Sequence, residues 1–489
     1  MLHHEGFVSE HVIPALLELR QSALMVEHEF KDDIERTHTG FRDSARNLAH
    51  YLAIRRMDIR DIQDELTYMG LSSLGRSESC TMVTLENVLD LLHRFEGKTY
   101  TPEPPIQTTV DARTGPMYLS DHARRLFGDA GGKRQSRIMV TMPTTASTDP
   151  GLVRDLVEAG MDIMRINCAH DSPAEWKEMV VNLRRAEQET GRQCKVYVDL
   201  AGPKLRIGTT ERIRVHVSDI VTIVKGACEN EWNTPCVPCT LEEVFDDVAV
   251  GERVWFDDGK IGGVIRTVSP DRFSVEVTHA KPSGAWLKAG KGINLPDTSV
   301  SVPSITSWDD ESLRAMAGHA DIIGMSFVRS EADVSDLFQR LQELKASDRG
   351  IVIKIETRGA FERLPYILMH GLRHPPFGIM VARGDLAVEV GYDRLAEVQE
   401  EILWLCEAAH VPVIWATQVL EGMARKGVPT RAEVSDAALS VRAECVMLNK
   451  GPHIVKTVAF LSDVLERMAA HQSKKRTLLR KLKVSEPLM

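Results

Sequence analysis

The 489-residue sequence has no uninterrupted apolar stretch long enough to span a bilayer, which takes about 20 consecutive apolar residues. Its start, MLHHEGFVSEHV, lacks a basic segment followed by an apolar run, so no secretory signal is expected. An excess of positive charge is also missing. Sixty Lys and Arg stand against 70 Asp and Glu, and the net charge of -10 argues against general affinity for nucleic acid or an acidic membrane. A local basic site remains compatible with that balance. Cysteine is sparse: eight residues, dispersed, suit reduced cytoplasmic thiols better than a disulfide framework. Cys228, Cys236 and Cys239 form the one cluster, with a C-x-x-C in PCVPC. No second C-x-x-C follows and no fourth ligand stands at zinc spacing, so three unrelated thiols are expected rather than a zinc or redox site.

What is present is an ordinary globular composition, 43% hydrophobic and 27% charged, over a length that suits roughly two to four structural units. From Arg137 onward, strand-like runs alternate with helical patterns. The runs are RIMVTMP (137–143), IMRINCA (163–169), KVYVDLA (195–201), IIGMSFV (322–328), IVIKIET (351–357), FGIMVARG (377–384), VPVIWAT (411–417) and AECVMLNKG (443–451). Between them lie amphipathic stretches such as DPGLVRDLVEAG, with Asp149 placed as a cap and Pro150 in the first turn. This alternation implies βαβ units and a parallel sheet. Eight runs suit a (β/α)8 TIM barrel, although an open doubly wound sheet could use most of them.

The rhythm breaks once, between the third and fourth runs. Residues 204–290 are rich in Val, Thr, Gly and Asp, and RIRVHVSDIVTIV, ERVWFDDGKIGGVIRTV and RFSVEVTH alternate with period two around Asp-Gly turns. A small β-barrel lid inserted into the main barrel is expected there. The expected divisions are a helical extension over 1–130, the barrel over 131–203 and 291–470, the lid over 204–290, and a basic tail over 471–489. The first hundred residues hold 17 Asp and Glu against 11 Lys and Arg. That balance disfavours a DNA-reading helix–turn–helix and favours a helical packing or oligomerisation module. The segment 474–483 is locally basic and reads as a solvated helix end.

In a parallel barrel, chemistry gathers at the C-terminal ends of the strands. Polar residues collect there: Arg165 and Asn167, Asp199, Ser326 and Arg329, Lys354 and Glu356, Arg383, Gly384 and Asp385, Thr417 and Gln418, Asn449 and Lys450. Each has a plain alternative. Lys354 and Glu356 could be an interior ion pair, and Arg165 a structural partner of Asp199. Together, two carboxylates beside a Lys suit a divalent metal that bridges an anionic substrate. Gly384-Asp385-Leu386 could present backbone N–H groups to a carboxylate or phosphate. Spacing alone thus points to a metal-assisted enzyme acting on a small phosphorylated or carboxylated molecule.

From about Arg137 to Met468 the chain resembles pyruvate kinase. IMRINCAH is similar to that family's ARLNFSH segment, and VDLAGPKLRIG to D-T-K-G-P-E-I-R-T-G. VWFDDGKI, KGINLPDTSVSVPSIT, MSFVR, KIET, IMVARGDLAVEV, ATQVLEGM and PTRAEVSD match in order. The resemblance implies phosphoryl transfer between phosphoenolpyruvate and ADP, giving pyruvate and ATP in the glycolysis of the cytoplasm. It implies that Glu356 and Asp385 hold Mg2+ (or Mn2+), that Lys354 neutralises the phosphoryl group and enolate, and that Arg165 grips the phosphate. Backbone N–H groups of Gly384 and Asp385, with the Thr417 hydroxyl and Ser326, would seat the substrate. Thr417 also lies where the family protonates the enolate. Asn167, His170, Arg206 and Asp258 (or Asp257) would face the nucleotide. Lys354 and Glu356 would then be independent of each other, with substrate and Mg2+ between them.

The departures carry expectations of their own. Ala169 replaces the Ser of N-F-S-H, and Lys204 the Glu of G-P-E. In the family that Lys marks K+-independent members, its ammonium replacing the cation, so K+ is not expected to be required. Leu200 and Ala201 replace the Thr and Lys of D-T-K, and MLNKGPH replaces M-L-S-G-E-T-A. The sequence ends soon after the barrel, so the family's C-terminal domain is expected to be absent, and with it control by fructose 1,6-bisphosphate. A homo-oligomer is expected, with neither nucleic acid nor membrane as partner. Two alternatives stay open: a related Mg2+-enolate barrel enzyme acting on another 2-oxo acid or phosphate, and a catalytically weak regulatory paralogue.

Overall fold

The computed structural model describes residues 5–107, 110–228, 234–474 and 476–477. Eight parallel strands close into a barrel: β1 (Arg137–Thr141), β2 (Ile163–Asn167), β3 (Lys195–Asp199), β4 (Ile322–Met325), β5 (Gly350–Ile355), β6 (Phe377–Ala382), β7 (Val413–Ala416) and β8 (Cys445–Leu448). They follow one another in chain order, and β8 closes on β1 with Arg137 opposite Cys445. The eight apolar runs become these strands because both faces are buried, which favours continuous Val, Ile and Met over alternation.

Period two sorts each strand into two cores. Met139, Ile163, Tyr197, Ile322, Val352, Met380, Ile414 and Cys445 fill the interior, while Val140, Met164, Val196, Ile323, Ile353 and Ile379 pack under the outer helices. Gly324 makes room for the Tyr197 ring, since a Cβ there would lie 2.0 Å from the phenolic oxygen. The helix Thr114–Phe127 stoppers the base. Its Leu126 lies against Gly350 and Gly378, at the N-terminal ends of β5 and β6, where any added Cβ would come within 2.5 Å of it.

The preceding helices, including Glu5–Glu29, Arg42–Arg55 and Thr81–Phe95, share one continuous core with the barrel's outer layer. Polar contacts fix the seam. Asn47 Nδ2 donates to the Ala408 carbonyl (2.8 Å), and Asp33 meets Arg373 (2.5 Å). His410, fully buried, is held through Nδ1 by Ser44 Oγ and donates from Nε2 to the Ser79 carbonyl, each at 2.9 Å. His122 Nδ1 donates in turn to the His410 carbonyl at 2.7 Å. The packing role expected of this segment is thus exercised within the chain.

The insertion between β3 and β4 is a half-barrel. Six strands run in the order Ile293–Asn294, Arg253–Phe256, Ile261–Ser269, Arg272–His279, Ile220–Lys225, Cys236–Cys239, beside a ribbon of Ile213–Val215 and Ala285–Leu287. It has its own apolar core, including Val221, Val254, Phe256 and Phe273. Two expectations need correction. Cys228 and Cys236 are joined by a disulfide, not independent thiols. The two positions come within 5.9 Å (Cα to Cα) although eight residues separate them, which spacing alone does not disclose. Cys239 stays free, with burial pushing its thiol up to about 11. The last helix among the described residues ends at Ala469, after which Gln472–Ser473 pairs antiparallel with Arg476–Thr477, so the basic tail begins as a small hairpin rather than a helix end. Lys474 there is fixed by Glu444 (2.5 Å), and the rest of 474–483 lies outside the described residues apart from Arg476 and Thr477.

Candidate active site

The charged residues of the sequence pattern occupy the upper layer of the barrel interior because the same alternation continues up each strand. Val352 is followed on its face by Lys354 and then Glu356, Ile163 by Arg165, Tyr197 by Asp199, and Ile322 by Gly324 and Ser326. These side chains meet. Arg165 binds Asp199 through Nε (3.0 Å) and Nη2, and its Nη1 donates to Thr141 Oγ1 (2.7 Å). Lys354 Nζ lies 2.7 Å from Ser326 Oγ, 3.1 Å from Glu356 Oε1 and 3.4 Å from Asp199 Oδ2. Glu356 Oε2 accepts from the Phe327 N–H at 2.7 Å.

The direct Lys354–Glu356 contact is the interior ion pair that the strand pattern also allows. Both are almost fully buried, and two opposite charges held on one strand face in a poorly solvated site pair rather than stand apart. Burial alone would depress the Lys354 ammonium, but Asp199 and Glu356 outweigh it and hold the group above its ordinary value. Burial raises the Glu356 carboxyl, and the Asp385 and Asp199 carboxylates push the same way against the pull of Lys354.

Asp385 lies in the first turn of the helix Arg383–Val390 after β6. Lys204 Nζ meets both its oxygens, at 2.8 and 2.9 Å, and Asn294 Nδ2 approaches Oδ1 at 3.4 Å. Gly384 N–H donates to Thr417 Oγ1 at 3.1 Å, which joins the ends of β6 and β7. Thr417, Gln418 and Leu420 all have left-handed backbones, with φ of 65°, 59° and 48°. Such a loop is costly for residues other than glycine, and Arg383 braces it. Its guanidinium binds the carbonyls of Ala416 (2.8 Å) and Thr417 (2.6 Å) and both oxygens of Asp436.

The residues expected to face a nucleotide are looser. Asn167 Oδ1 accepts from the Ala169 N–H (3.1 Å). His170 is exposed, and partial desolvation depresses its imidazole, with the cations of Lys450, Arg206 and Arg165 acting in the same direction. Arg206 donates to the Gly290 carbonyl (3.0 Å) at the root of the lid. Asp258 is exposed at a lid hairpin tip, where its carbonyl accepts from the Tyr392 hydroxyl at 2.8 Å. Neighbouring Asp257, which burial would raise, is instead held below its ordinary value by Lys291 and Lys260. None of these four joins the Arg165–Lys354–Glu356 network.

Sequence reasoning passed over Asp309, Asp436, Asn294 and Glu389. Asp309 is fully buried, completes the capping box with Thr306 and accepts from the Gly202 N–H (3.1 Å) where the chain leaves for the lid. The capping pattern T-x-x-D was its available signal. Gly202 itself has φ +68°, and a Cβ would come within 2.9 Å of Ser326. An open cleft of about 760 Å3 lies beyond Phe327, lined by Asn294, Arg329, Arg358 and Glu389, on the outer side of the charged ring.

The residues fit a divalent cation. Glu356 and Asp385 are hard oxygen donors, Glu356 is raised first by burial and then by the Asp385 charge, and the buried Asp199 Oδ1 has no hydrogen-bond partner. Among the described residues no three His, Cys, Asp or Glu converge as a closed metal centre. A pair of carboxylates suits Mg2+, which is commonly held by one or two carboxylates with substrate oxygens completing its shell.

Comparison with known proteins gives the same direction. Residues 133–452 match the family model described as pyruvate kinase, barrel domain. A pyruvate kinase from Bacillus licheniformis is 31% identical over 342 residues, 68% of this chain and 57% of that protein. One from Mycobacterium tuberculosis strain H37Rv is 35% identical over 323 residues, 65% of each chain. The protein named pyruvate kinase PKLR from Rattus norvegicus is 32% identical over 375 residues, 73% of this chain and 63% of that one. The chain therefore spans less than two thirds of the length of these relatives. With a match to the barrel model over most of its length and a charged ring in the register that barrel demands, the chain belongs to the pyruvate kinase family.

Proposed function

We propose that this chain transfers the phosphoryl group of phosphoenolpyruvate to ADP, giving pyruvate and ATP, with Mg2+ (or Mn2+) required and K+ not. The observation that carries the reading is the buried meeting of Arg165, Lys354, Ser326 and Glu356 beside Asp385 and Thr417 at the barrel mouth. Phosphoryl transfer needs positioning and charge neutralisation more than covalent help, and this ring supplies both. Glu356 and Asp385 would hold the divalent ion, which when bound neutralises phosphate charge.

Arg165, fixed by Asp199 and Thr141, presents its guanidinium to the phosphate in one orientation. Lys354 is kept protonated by its carboxylate neighbours, so its ammonium is ready for the moving phosphoryl group and for the enolate left behind. Thr417, set against the Gly384 N–H, orients the substrate carboxylate and stands on the face from which the enolate is protonated. Asn167, His170, Arg206 and Asp258 would serve the nucleotide once the lid swings over the mouth, which shuts out water.

Lys204 supports K+ independence. Its ammonium bridges both oxygens of Asp385, and Ala169 has no hydroxyl to ligate a monovalent ion. A cytoplasmic, self-associating enzyme belongs to the same reading. Among the described residues no helix is long and apolar enough to cross a membrane.

A coupled assay with phosphoenolpyruvate, ADP and Mg2+, run beside Lys354→Met, tests the proposal. Wild type should turn over without K+, and the variant should lose roughly two or more orders of magnitude in kcat with its fold intact. A wild type with no phosphoryl transfer refutes the reading.

A further inference from the structure

Two strands join the lid to the barrel, leaving through Gly202–Arg206 and returning through Gly292–Leu295, and they are zipped together. Arg206 bridges to Gly292, Ile207 N–H donates to the Lys291 carbonyl (2.8 Å), and Ile293 N–H to the Leu205 carbonyl (2.9 Å). The hinge is therefore a ribbon that moves as one piece. At its barrel end each strand extends one side chain to the same carboxylate. Lys204 comes from the outgoing strand, and Asn294, only 6% exposed, from the returning one.

Asn294 does more than touch Asp385. Its Nδ2 is shared, 3.4 Å from Asp385 Oδ1 and 3.3 Å from Glu389 Oε1. Asp385 and Glu389 stand one helical turn apart on Arg383–Val390, where two carboxylates share a face and repel. A primary amide has two N–H groups and no charge, so it can serve both acids at once. The same helix also leads to Tyr392, whose hydroxyl holds the Asp258 carbonyl of the lid hairpin. The hinge is thus anchored on the short helix that carries Asp385, and the lid tip on Tyr392 just beyond that helix's end.

We propose that Asn294 is a positioning residue that ties the lid hinge to the Asp385 carboxylate, with Glu389 as the acceptor that fixes its carboxamide, so that cation binding and lid position are coupled. The proposal rests on the reading of Asp385 as a cation-holding carboxylate. Partners of metal-holding groups typically change metal affinity about 10–100-fold when removed. Coupling between sites is reciprocal, so whatever the cation does to the hinge, the hinge does to cation affinity.

The test is Mn2+ binding to the full chain, followed by the electron paramagnetic resonance of free Mn2+, with hydrogen exchange at the Ile207 and Ile293 amides. Wild type should bind Mn2+ and change hinge exchange on doing so. Asn294→Leu should raise the Mn2+ Kd about tenfold or more and abolish the exchange response. Glu389→Gln, which keeps a carbonyl acceptor, should stay within about threefold of wild type, while Glu389→Leu should resemble Asn294→Leu. That pair keeps the inference open to refutation if Asn294→Leu fails to fold. Asp385→Asn separates the two layers. If it weakens Mn2+ binding while Asn294→Leu or Glu389→Leu leaves affinity and exchange response unchanged, the hinge link is wrong and the site reading stands. If Asp385→Asn leaves Mn2+ affinity unchanged, both fall.

Discussion

Replacing His410 with Gln measures how tightly the N-terminal helices are bound to the barrel. The imidazole is fully buried at the seam, donating to the Ser79 carbonyl from Nε2 and accepting from Ser44 Oγ at Nδ1, which fixes it as the neutral Nε2–H tautomer. Burial brings its pKa down from 6.5 to about 4, with His122 adding to the effect against the Ser79 carbonyl. A histidine with a depressed folded-state pKa favours the folded chain above its unfolded pKa. That stability drains away as pH falls from about 6.5 toward 4. Between pH 7.5 and pH 5 the loss from this one group is about 2 kcal/mol, from 1.36 kcal/mol per pKa unit over the part of the shift titrated by then. Other groups titrate equally in both proteins, so the signature is a difference of slopes. Urea unfolding at the two pH values should show wild type losing about 2 kcal/mol more than His410→Gln, although the variant is less stable throughout. Equal slopes would mean that the ring is hydrated or charged in the folded state, and the seam would not be the dry junction described.

Three further outcomes are expected. Lys204→Gln should cut kcat/KM at least about tenfold in K+-free buffer and regain part of it with added K+, whereas wild type should not respond; activation of wild type by K+ refutes the ammonium's role. Arg383→Lys should release the loop Thr417–Leu420, because one ammonium cannot bind two carbonyls and a carboxylate in a fork; about a tenfold rise in KM for phosphoenolpyruvate checks this, and unchanged kinetics refute it. A chain starting at Arg134 should aggregate rather than merely change oligomeric state, since it uncovers the barrel base at Gly350 and Gly378; a soluble, cooperatively folded species in gel filtration would contradict this.

The strands of this protein are legible in its sequence because a parallel barrel demands runs buried on both faces, and IVIKIET or FGIMVARG have few other uses. Legible too was the gathering of Arg165, Asp199, Ser326, Lys354 and Glu356, because a period of two carries interior positions up to the mouth. What escaped was pairing across long separations. Nothing local joins Lys204 to Asp385, 181 residues on, or Arg383 to Asp436, and each contact exists only because the barrel brings strand ends together. The Lys354–Glu356 contact had a local signal, since residues two apart share one strand face. Family likeness suggested what lies between them during turnover, whereas burial sets what the two charges do with each other. The Cys228–Cys236 bond was hidden because spacing does not report Cα separation.

The seam also has a consequence for the order in which the chain can become stable. Asn47 must wait for the Ala408 carbonyl, 361 positions later, and Leu126 for strands that begin beyond residue 349. A ribosome therefore releases the N-terminal helices packed on one another but with the faces that meet the barrel uncovered, while more than half of the chain is still to be made. Those faces close only when β5, β6 and the outer helix Leu395–Ala408 have arrived. Nascent chains stalled before residue 395 should consequently stay sensitive to protease at their N-terminal helices and depend on holding chaperones.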